Sequence, residues 1–276
     1  MTLLRTPQWL ATSVRNKLLA MALLPLLVAF PLLVLVLVLW GNSAYDRLLT
    51  TKVRSDLAVA RGYFDRVLVE VGSGTQGVAG SLALYTALQA SNTADLEQQL
   101  AAYRERLGLD FLVLYSPDGQ PVARAEPVDD AIAQPMPAAI AELLDHPTRP
   151  SASNSARLIL LNRDAVEQLA PHLLPRLQIA LVSTRNAAPA TRNIEDRAMV
   201  MLSALPVVDN TGRTIALLAG GLLLNQNLGF IDHINRIVYP DGSLPFGSQG
   251  TATLFLDDVR ITTNVRLFQD QRAIGT

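Results

Sequence analysis

The stretch MVMLSALPVVDNTGRTIALLAGGLLL, residues 199–224, decides the fold class of this chain. Two apolar runs flank the sequence Asp209-Asn210-Thr211-Gly212, and these four residue types favour a tight turn. We therefore expect two long antiparallel strands, which form the central hairpin of a sheet.

The same pattern occurs twice more. Residues 111–124 predict a strand, a Ser-Pro-Asp-Gly turn and a second strand, and residues 250–265 predict a hairpin around Asp257-Asp258. Two adjacent carboxylates could form an acid–base pair. In a turn between strands, however, two Asp residues are expected to be turn formers that point to solvent.

Helical periodicity appears between and before the hairpins. From Leu49 to Val71, apolar residues recur every three or four positions and predict one face of a long helix. A second helix is predicted over 93–107, capped by Asn92 or Thr93 and stopped by Gly108. The buried face of this second helix is expected to contain Leu96, Leu100, Tyr103 and Leu107.

Prolines interrupt residues 127–178, for which we expect only short helical pieces. Residues 222–239 are expected to form a helix that leads the chain away from the sheet. The order of elements predicts the α+β class with an antiparallel sheet.

Residues 18–40 are nearly all apolar, and no charged residue occurs between Lys17 and Asp46. At 1.5 Å per residue this stretch is long enough for a transmembrane helix. A cleaved signal peptide and a buried core helix are the alternatives, and the length of the apolar run disfavours a signal peptide. Basic residues without acids precede the span, so we expect a cytoplasmic N-terminus and an extracytoplasmic remainder.

Composition excludes several classes of function. The net charge is −1, which gives no basic field for nucleic acid, and the absence of cysteine excludes disulfides and Cys-ligated zinc. The three histidines, His146, His172 and His233, lack metal-ligand spacing. No nucleophile–base motif occurs, so we expect no catalytic residue, no metal and no cofactor in these 276 residues.

Residues 72–77, GSGTQG, match the dinucleotide fingerprint G-x-G-x-x-G. That fingerprint requires a preceding strand, whereas the residues before Gly72 keep a helical period. A loosened or kinked helix is therefore the preferred interpretation.

The segment from 183 to 200 is rich in arginine and hydroxyl groups. Arginine forks suit carboxylates and phosphates, so we predict a site for a small anion such as a carboxylate. The alternative is a solvated loop in which Arg192 and Arg197 pair with Glu195 and Asp196. The candidate ligand-binding residues are Thr184, Arg185, Arg192 and Arg197, with Arg157 and Asn162 as weaker candidates.

Four segments together resemble the extracytoplasmic double Cache region, of the Cache 3/Cache 2 fusion type, that is found in bacterial sensor histidine kinases. They are the apolar span with KVRSDLAVARGYFDRVL (52–68), ERLGLDFLVLYSPDGQPVA (105–123), residues 197–234, and GTATLFLDDVRITTNVR with QRAIGT (250–266 and 271–276). The last segment is the most specific.

The resemblance implies two PAS-like modules, each of which begins with a hairpin. It divides the chain into a cytoplasmic N-terminus (1–17), a transmembrane helix (18–40), long stalk helices (41–107), a membrane-distal Cache module (108–235), a linker (236–249) and the start of a membrane-proximal Cache module (250–276). We therefore expect a fragment of a receptor in the bacterial inner membrane. A complete protein with a β-tail that pairs elsewhere or stays frayed is the alternative.

The resemblance also implies partners. They are a small-molecule ligand, a second copy that pairs along Leu49, Val53, Leu57 and Phe64, and a response regulator that is reached through a kinase domain. ATP and Mg would be needed only by that domain. Alternative outputs are a chemotaxis transducer or a diguanylate cyclase. A membrane-anchored binding or scaffold protein without signalling output is the alternative from another class.

Overall fold

The computed structural model describes residues 14–90, 92–126, 134–145, 155–182, 192–244, 248–267 and 271–276. The chain divides into two compact units, Met1–Ala58 and Val59–Thr276. Helix α1 (Val14–Ala79) begins in the first unit and ends in the second.

The described side chains of residues 25–40, within the first unit, are exposed. Among the described residues, no helix combines the length and the apolar content that crossing a membrane requires. The transmembrane span at residues 18–40 therefore stays a prediction.

The second unit is built on a five-stranded antiparallel sheet. Its strands are β1 (Phe111–Tyr115), β2 (Pro121–Arg124), β3 (Ala156–Leu161), β6 (Ala198–Val208) and β7 (Thr214–Leu223), in the spatial order β2-β1-β7-β6-β3. The hairpins predicted over 111–124 and 199–224 are confirmed, and so is the α+β class. The edge strand β3 lies where only short helical pieces were expected, so that part of the prediction was incomplete.

Helices cover both faces of this sheet. Strand β1 is buried along its whole length: Leu112 and Leu114 point to one face, and Phe111, Val113 and Tyr115 point to the other. The first face packs against the end of α1, α2 (Leu82–Ala90), α3 (Thr93–Leu107) and α7 (Leu228–Val238). The second face packs against α4 (Ala138–Asp145), α5 (Arg163–Leu169), a 3-10 turn (Pro171–Leu173) and α6 (Leu174–Leu177).

Helix α3 matches its prediction at both ends. The Asn92 side chain accepts a hydrogen bond from the backbone N–H of Asp95, and Gly108 ends the helix with a φ of 62°. Leu96 and Leu100 are buried in the core, as their spacing indicated. The exit helix is confirmed as α7, which begins six residues later than predicted because β7 continues to Leu223 and Asn227 caps the helix.

The G-x-G-x-x-G sequence lies inside α1, which continues through it to Ala79. The residues before Gly72 are helical, so the strand that a dinucleotide site needs is not there. Gly72 and Gly74 allow close packing instead. A Cβ on Gly72 would lie 2.8 Å from the backbone N of Ala156, and a Cβ on Gly74 would lie 2.8 Å from Leu107 Cδ2.

Two smaller sheets complete the second unit: β4 (Ile179–Ala180) pairs with β5 (Ile194–Glu195), and β8 (Thr253–Leu256) pairs with β9 (Val259–Thr263). The predicted hairpin around Asp257-Asp258 is therefore confirmed. Its residues Leu256, Val259 and Ile261 pack against Ile179 of β4. The hairpin thus has partners within this chain, which explains how a two-stranded sheet is stable here.

Candidate functional site

The arginine-rich segment is described in part. Thr184 and Arg185 lie outside the described residues, whereas Arg192 and Arg197 flank the short strand β5. The structure brings these two arginines together on one carboxylate, that of Glu195. Pairing with Glu195 was the alternative interpretation of this segment.

Glu195 is the centre of the cluster, and its side chain is 0% exposed. Its Oε1 accepts hydrogen bonds from Arg197 Nε at 2.8 Å and from the Arg197 backbone N at 3.1 Å. Its Oε2 accepts from Arg197 Nη2 at 2.9 Å and lies 2.7 Å from Arg192 Nη2. Burial of Glu195 by itself raises the pKa of the carboxyl, but the hydrogen bonds and charge of Arg197, with the charge of Arg192, hold that pKa below its usual value.

The turn of the β8–β9 hairpin supplies the remaining charges. Arg197 Nη2 donates to Asp257 Oδ2 at 2.8 Å, and Arg192 Nη2 lies 3.8 Å from Asp258 Oδ1. The hydrogen bond from Arg197 and then its charge lower the pKa of Asp257. Asp257 therefore does not simply point to solvent as expected, because Arg197 binds it across the surface. Asp258, whose side chain is 86% exposed, fits the expectation better.

This cluster contains two guanidinium groups and three carboxylates. An ion-pair network of this composition ties β5 to the hairpin turn, and among the described residues of the cluster each guanidinium charge is matched by a carboxylate. The sequence signal was present as three arginines followed by an Asp-Asp turn. The pairing could not be predicted because 60 residues separate Arg197 from Asp257.

A second candidate is a cleft between α4, the end of β3 and α5. We call it the α4–α5 cleft, and its volume is about 540 Å³, which is within the range of small-molecule sites. Its lining combines six apolar residues with three polar side chains: Pro137, Ala138, Ala139, Leu160, Leu161, Asn162, Asp164, Ala165 and Gln168.

One of the two weaker sequence candidates lies at this cleft. Asn162 lines it, but its Oδ1 accepts a hydrogen bond from the backbone N of Ala165 at 2.9 Å and so caps α5. Arg157 lies on the edge strand β3, in register with Leu202 of β6. Nearby, Arg124 is buried and donates to the carbonyl oxygens of Gln168 (3.1 Å) and Leu169 (2.8 Å) at the end of α5.

The described histidines have structural contacts. His172 Nε2 lies 3.0 Å from the backbone O of Asp110, and the His233 ring packs against Tyr63 with centroids 4.8 Å apart. Burial lowers the pKa of His172 despite the hydrogen bond to Asp110. His146 lies outside the described residues. In the described part of the chain, no cluster of three or more His, Cys, Asp or Glu residues could hold a metal ion.

Comparison with known proteins adds one sequence match. Residues 222–276, about a fifth of the chain, match the family model of Single cache domain 3. The matched segment contains the end of β7, helix α7 and the β8–β9 hairpin. A search of curated proteins found no match.

Several solved structures are similar in shape. The periplasmic domain of Vibrio cholerae LuxQ is 11% identical, with 79% of this chain and 82% of that chain covered and a TM-score of 0.48. A second structure of that domain gives 12% identity, coverage of 79% and 81%, and a TM-score of 0.49. The sensor domain of the V. cholerae histidine kinase DctB is 15% identical, covers 71% of this chain and 61% of that chain, and has a TM-score of 0.39.

Proposed function

We propose that this chain is the extracytoplasmic input region of a two-component receptor, a membrane sensor histidine kinase that responds to a small molecule. The match of residues 222–276 to a Cache family model carries the proposal, because Cache domains are ligand-sensing modules. The antiparallel sheet between two helical layers is consistent with such a module. In this proposal residues 108–235 form the membrane-distal module, and residues 250–276 begin a second, membrane-proximal one.

Residues 18–40 act as the membrane anchor in this proposal. Support comes from the uninterrupted apolar sequence and from the exposure of large side chains such as Leu27, Phe30 and Leu33 on α1. Exposed apolar side chains in such density are stabilised by hydrocarbon rather than by water. The basic residues before the span place residues 1–17 in the cytoplasm of this proposed receptor.

The chain contains no cysteine, so single-cysteine labelling tests this topology without background. Asn210→Cys lies in the exposed β6–β7 turn, and Thr6→Cys lies before the proposed anchor. In intact spheroplasts a membrane-impermeant maleimide should label Asn210→Cys and leave Thr6→Cys unlabelled until the membrane is permeabilised. Protection of Asn210→Cys in intact spheroplasts contradicts an extracytoplasmic sensor.

The proposed receptor is a homodimer that pairs along α1. Val53 and Leu57 are exposed on this helix, which supports pairing there. Phe64, the fourth member of the predicted face, instead packs edge-on against Phe230 of the same chain, with ring centroids 6.0 Å apart. Under mild oxidation, Val53→Cys should form an intermolecular disulfide faster than Arg54→Cys, which lies about 100° further around the helix. Equal rates for the two variants contradict pairing along this face.

The ligand of this proposed sensor is a small carboxylate bound by Arg192 and Arg197. Thermal unfolding of the full chain in mild detergent, with a panel of small carboxylates, amines and sugars, tests this choice. Carboxylates should raise the Tm saturably, because ligand that binds only the folded state stabilises it. Arg192→Gln should remove the effect, whereas the cleft-filling Ala138→Phe should retain it. Loss of the effect in Ala138→Phe alone would assign the site to the α4–α5 cleft, and a panel without any saturable shift contradicts ligand sensing.

A further inference from the structure

Arg197 is held in place by the body of the second unit, independently of the hairpin. Its guanidinium donates two hydrogen bonds to Glu195, which is only two positions away in the chain and whose carboxylate is fully buried. A bidentate arginine–carboxylate pair has a fixed geometry, and a buried carboxylate strongly resists losing its partner. The orientation of the Arg197 guanidinium is therefore set before the hairpin contributes anything.

The contact between Arg197 and Asp257 is different in kind. It consists of one N–H from Nη2 to Asp257 Oδ2, and the side chains are 32% and 66% exposed, respectively. Exposed ion pairs of this type favour the closed state by only about two- to fivefold. Water and small solutes can reach this contact, so a soluble carboxylate can exchange with the Asp257 side chain.

The backbone presents Asp257 to Arg197. Asp257 is the first residue of the two-residue turn between Leu256 and Val259, and its φ is 55°. Asp and Asn adopt this left-handed conformation more readily than most residues. The group presented by this turn is an acetate-like carboxylate, the same chemistry that an arginine site would bind from solution.

We propose that Asp257 is the internal occupant of the arginine site, so that binding of a small carboxylate and docking of the β8–β9 turn exclude each other. The contact is autoinhibitory, since an external carboxylate must displace Asp257 to reach Arg197 Nη2. The coupling is reciprocal: a bound carboxylate releases the turn, and a docked turn weakens the carboxylate. This inference rests on the proposed function only for the identity of the external ligand.

Displacement of Asp257 by a carboxylate would release only the turn of the β8–β9 hairpin. The opposite end of the hairpin region is held by Arg272, whose Nη1 and Nη2 each donate to an Asp232 carboxylate oxygen at 2.8 Å. The backbone N of Gln226 donates to the O of Ile261 at 2.9 Å, and Ile261 is fully buried. The hairpin therefore stays attached to α7 and β4 while its turn opens.

Hydrogen exchange of the full chain in mild detergent tests the contact itself. The variant is Asp257→Asn, which keeps the turn geometry and removes the charge, and the matched control is Asp258→Asn, which removes the same charge one residue further on. Peptides that cover β8–β9 should exchange about two- to fivefold faster in Asp257→Asn than in the wild type. Asp258→Asn should stay close to the wild type, and peptides from β6–β7 should be unchanged in both.

A second arm uses sodium acetate as the probe, with sodium chloride at equal ionic strength as the control. Acetate should speed exchange of β8–β9 in the wild type more than chloride does, and it should have no further effect in Asp257→Asn. Equal exchange in Asp257→Asn and the wild type, or equal acceleration by Asp257→Asn and Asp258→Asn, overturns the internal contact. Equal effects of acetate and chloride overturn the competition. The first arm needs no ligand, so it stands even where the thermal-shift panel contradicts ligand sensing.

Discussion

Replacing each of the three glycines of the G-x-G-x-x-G sequence with Ala should change the free energy of unfolding in different directions. In a helix interior, Gly→Ala stabilises by about 1 kcal/mol. Gly77 has open space around the position of a Cβ, so Gly77→Ala should show this full gain. At Gly72 the new Cβ would lie 2.8 Å from the backbone N of Ala156, and overpacking against backbone costs about 1–3 kcal/mol. The net effect of Gly72→Ala is then a loss of about 0–2 kcal/mol.

Gly74 lies between these cases. Its new Cβ would meet Leu107 Cδ2 at 2.8 Å, and the end of a leucine side chain can move aside. Gly74→Ala should therefore leave the free energy of unfolding within about 0.5 kcal/mol of the wild type.

Urea denaturation of the full chain in mild detergent, followed by far-UV circular dichroism, measures all three free energies of unfolding. The expected order of stability is Gly77→Ala, then Gly74→Ala, then Gly72→Ala. Equal stabilisation by Gly72→Ala and Gly77→Ala would refute the close approach of α1 to the start of β3.

Three further substitutions test other parts of the second unit. Burial raises the pKa of Glu126 from 4.5 to about 7, although Arg104 Nε lies 2.6 Å from its Oε1. Because the folded state holds this proton more tightly than the unfolded state, the contribution of Glu126 to stability is complete below pH 4.5 and is lost as the pH rises to about 7. Glu126→Gln should flatten that part of the curve of Tm against pH, and an unchanged curve contradicts the assignment. Arg124→Met should lower the free energy of unfolding by about 2–4 kcal/mol, because it leaves buried carbonyl oxygens at the end of α5 unpaired; a loss below about 1 kcal/mol in urea denaturation contradicts this role. Phe230→Ala should cost about 3–5 kcal/mol in the same assay, because the ring fills the contact with Tyr63, and Leu228→Ala, on the exposed side of α7, should cost far less.

Local signals made much of the fold predictable. Turn chemistry predicted all three hairpins, and Asn92 and Gly108 bounded α3, because each of these features is decided within a few residues. Strand β3 was not predicted, because its alternating burial is weak at a sheet edge and prolines surround it in sequence. Only its pairing with β6, about 40 residues later, makes it a strand.

The sequence identified the arginines of the candidate site but not all of the carboxylates that pair with them. The sequence left two interpretations of Arg192 and Arg197, a site for a small anion or pairing with Glu195 and Asp196, and in the structure both arginines pair with Glu195. Their partners include Asp257 and Asp258, which the sequence assigned to solvent because a turn alone gives no information on what packs beside it. The α4–α5 cleft had no sequence signal beyond Asn162, since its walls come from three separate elements.

The spatial order of the strands in the central sheet also determines when each strand can pair during synthesis. Strand β1 is apolar on both faces, yet its inner neighbour β7 begins about 100 residues later in the chain. At about 5–20 residues per second, the ribosome needs about 5–20 s to make that partner. During this interval the nascent chain exposes FLVLY with one unpaired edge, which is the kind of segment that aggregates. The order β2-β1-β7-β6-β3 therefore leaves one edge of β1 without its partner until β7 has been synthesised and has left the ribosome.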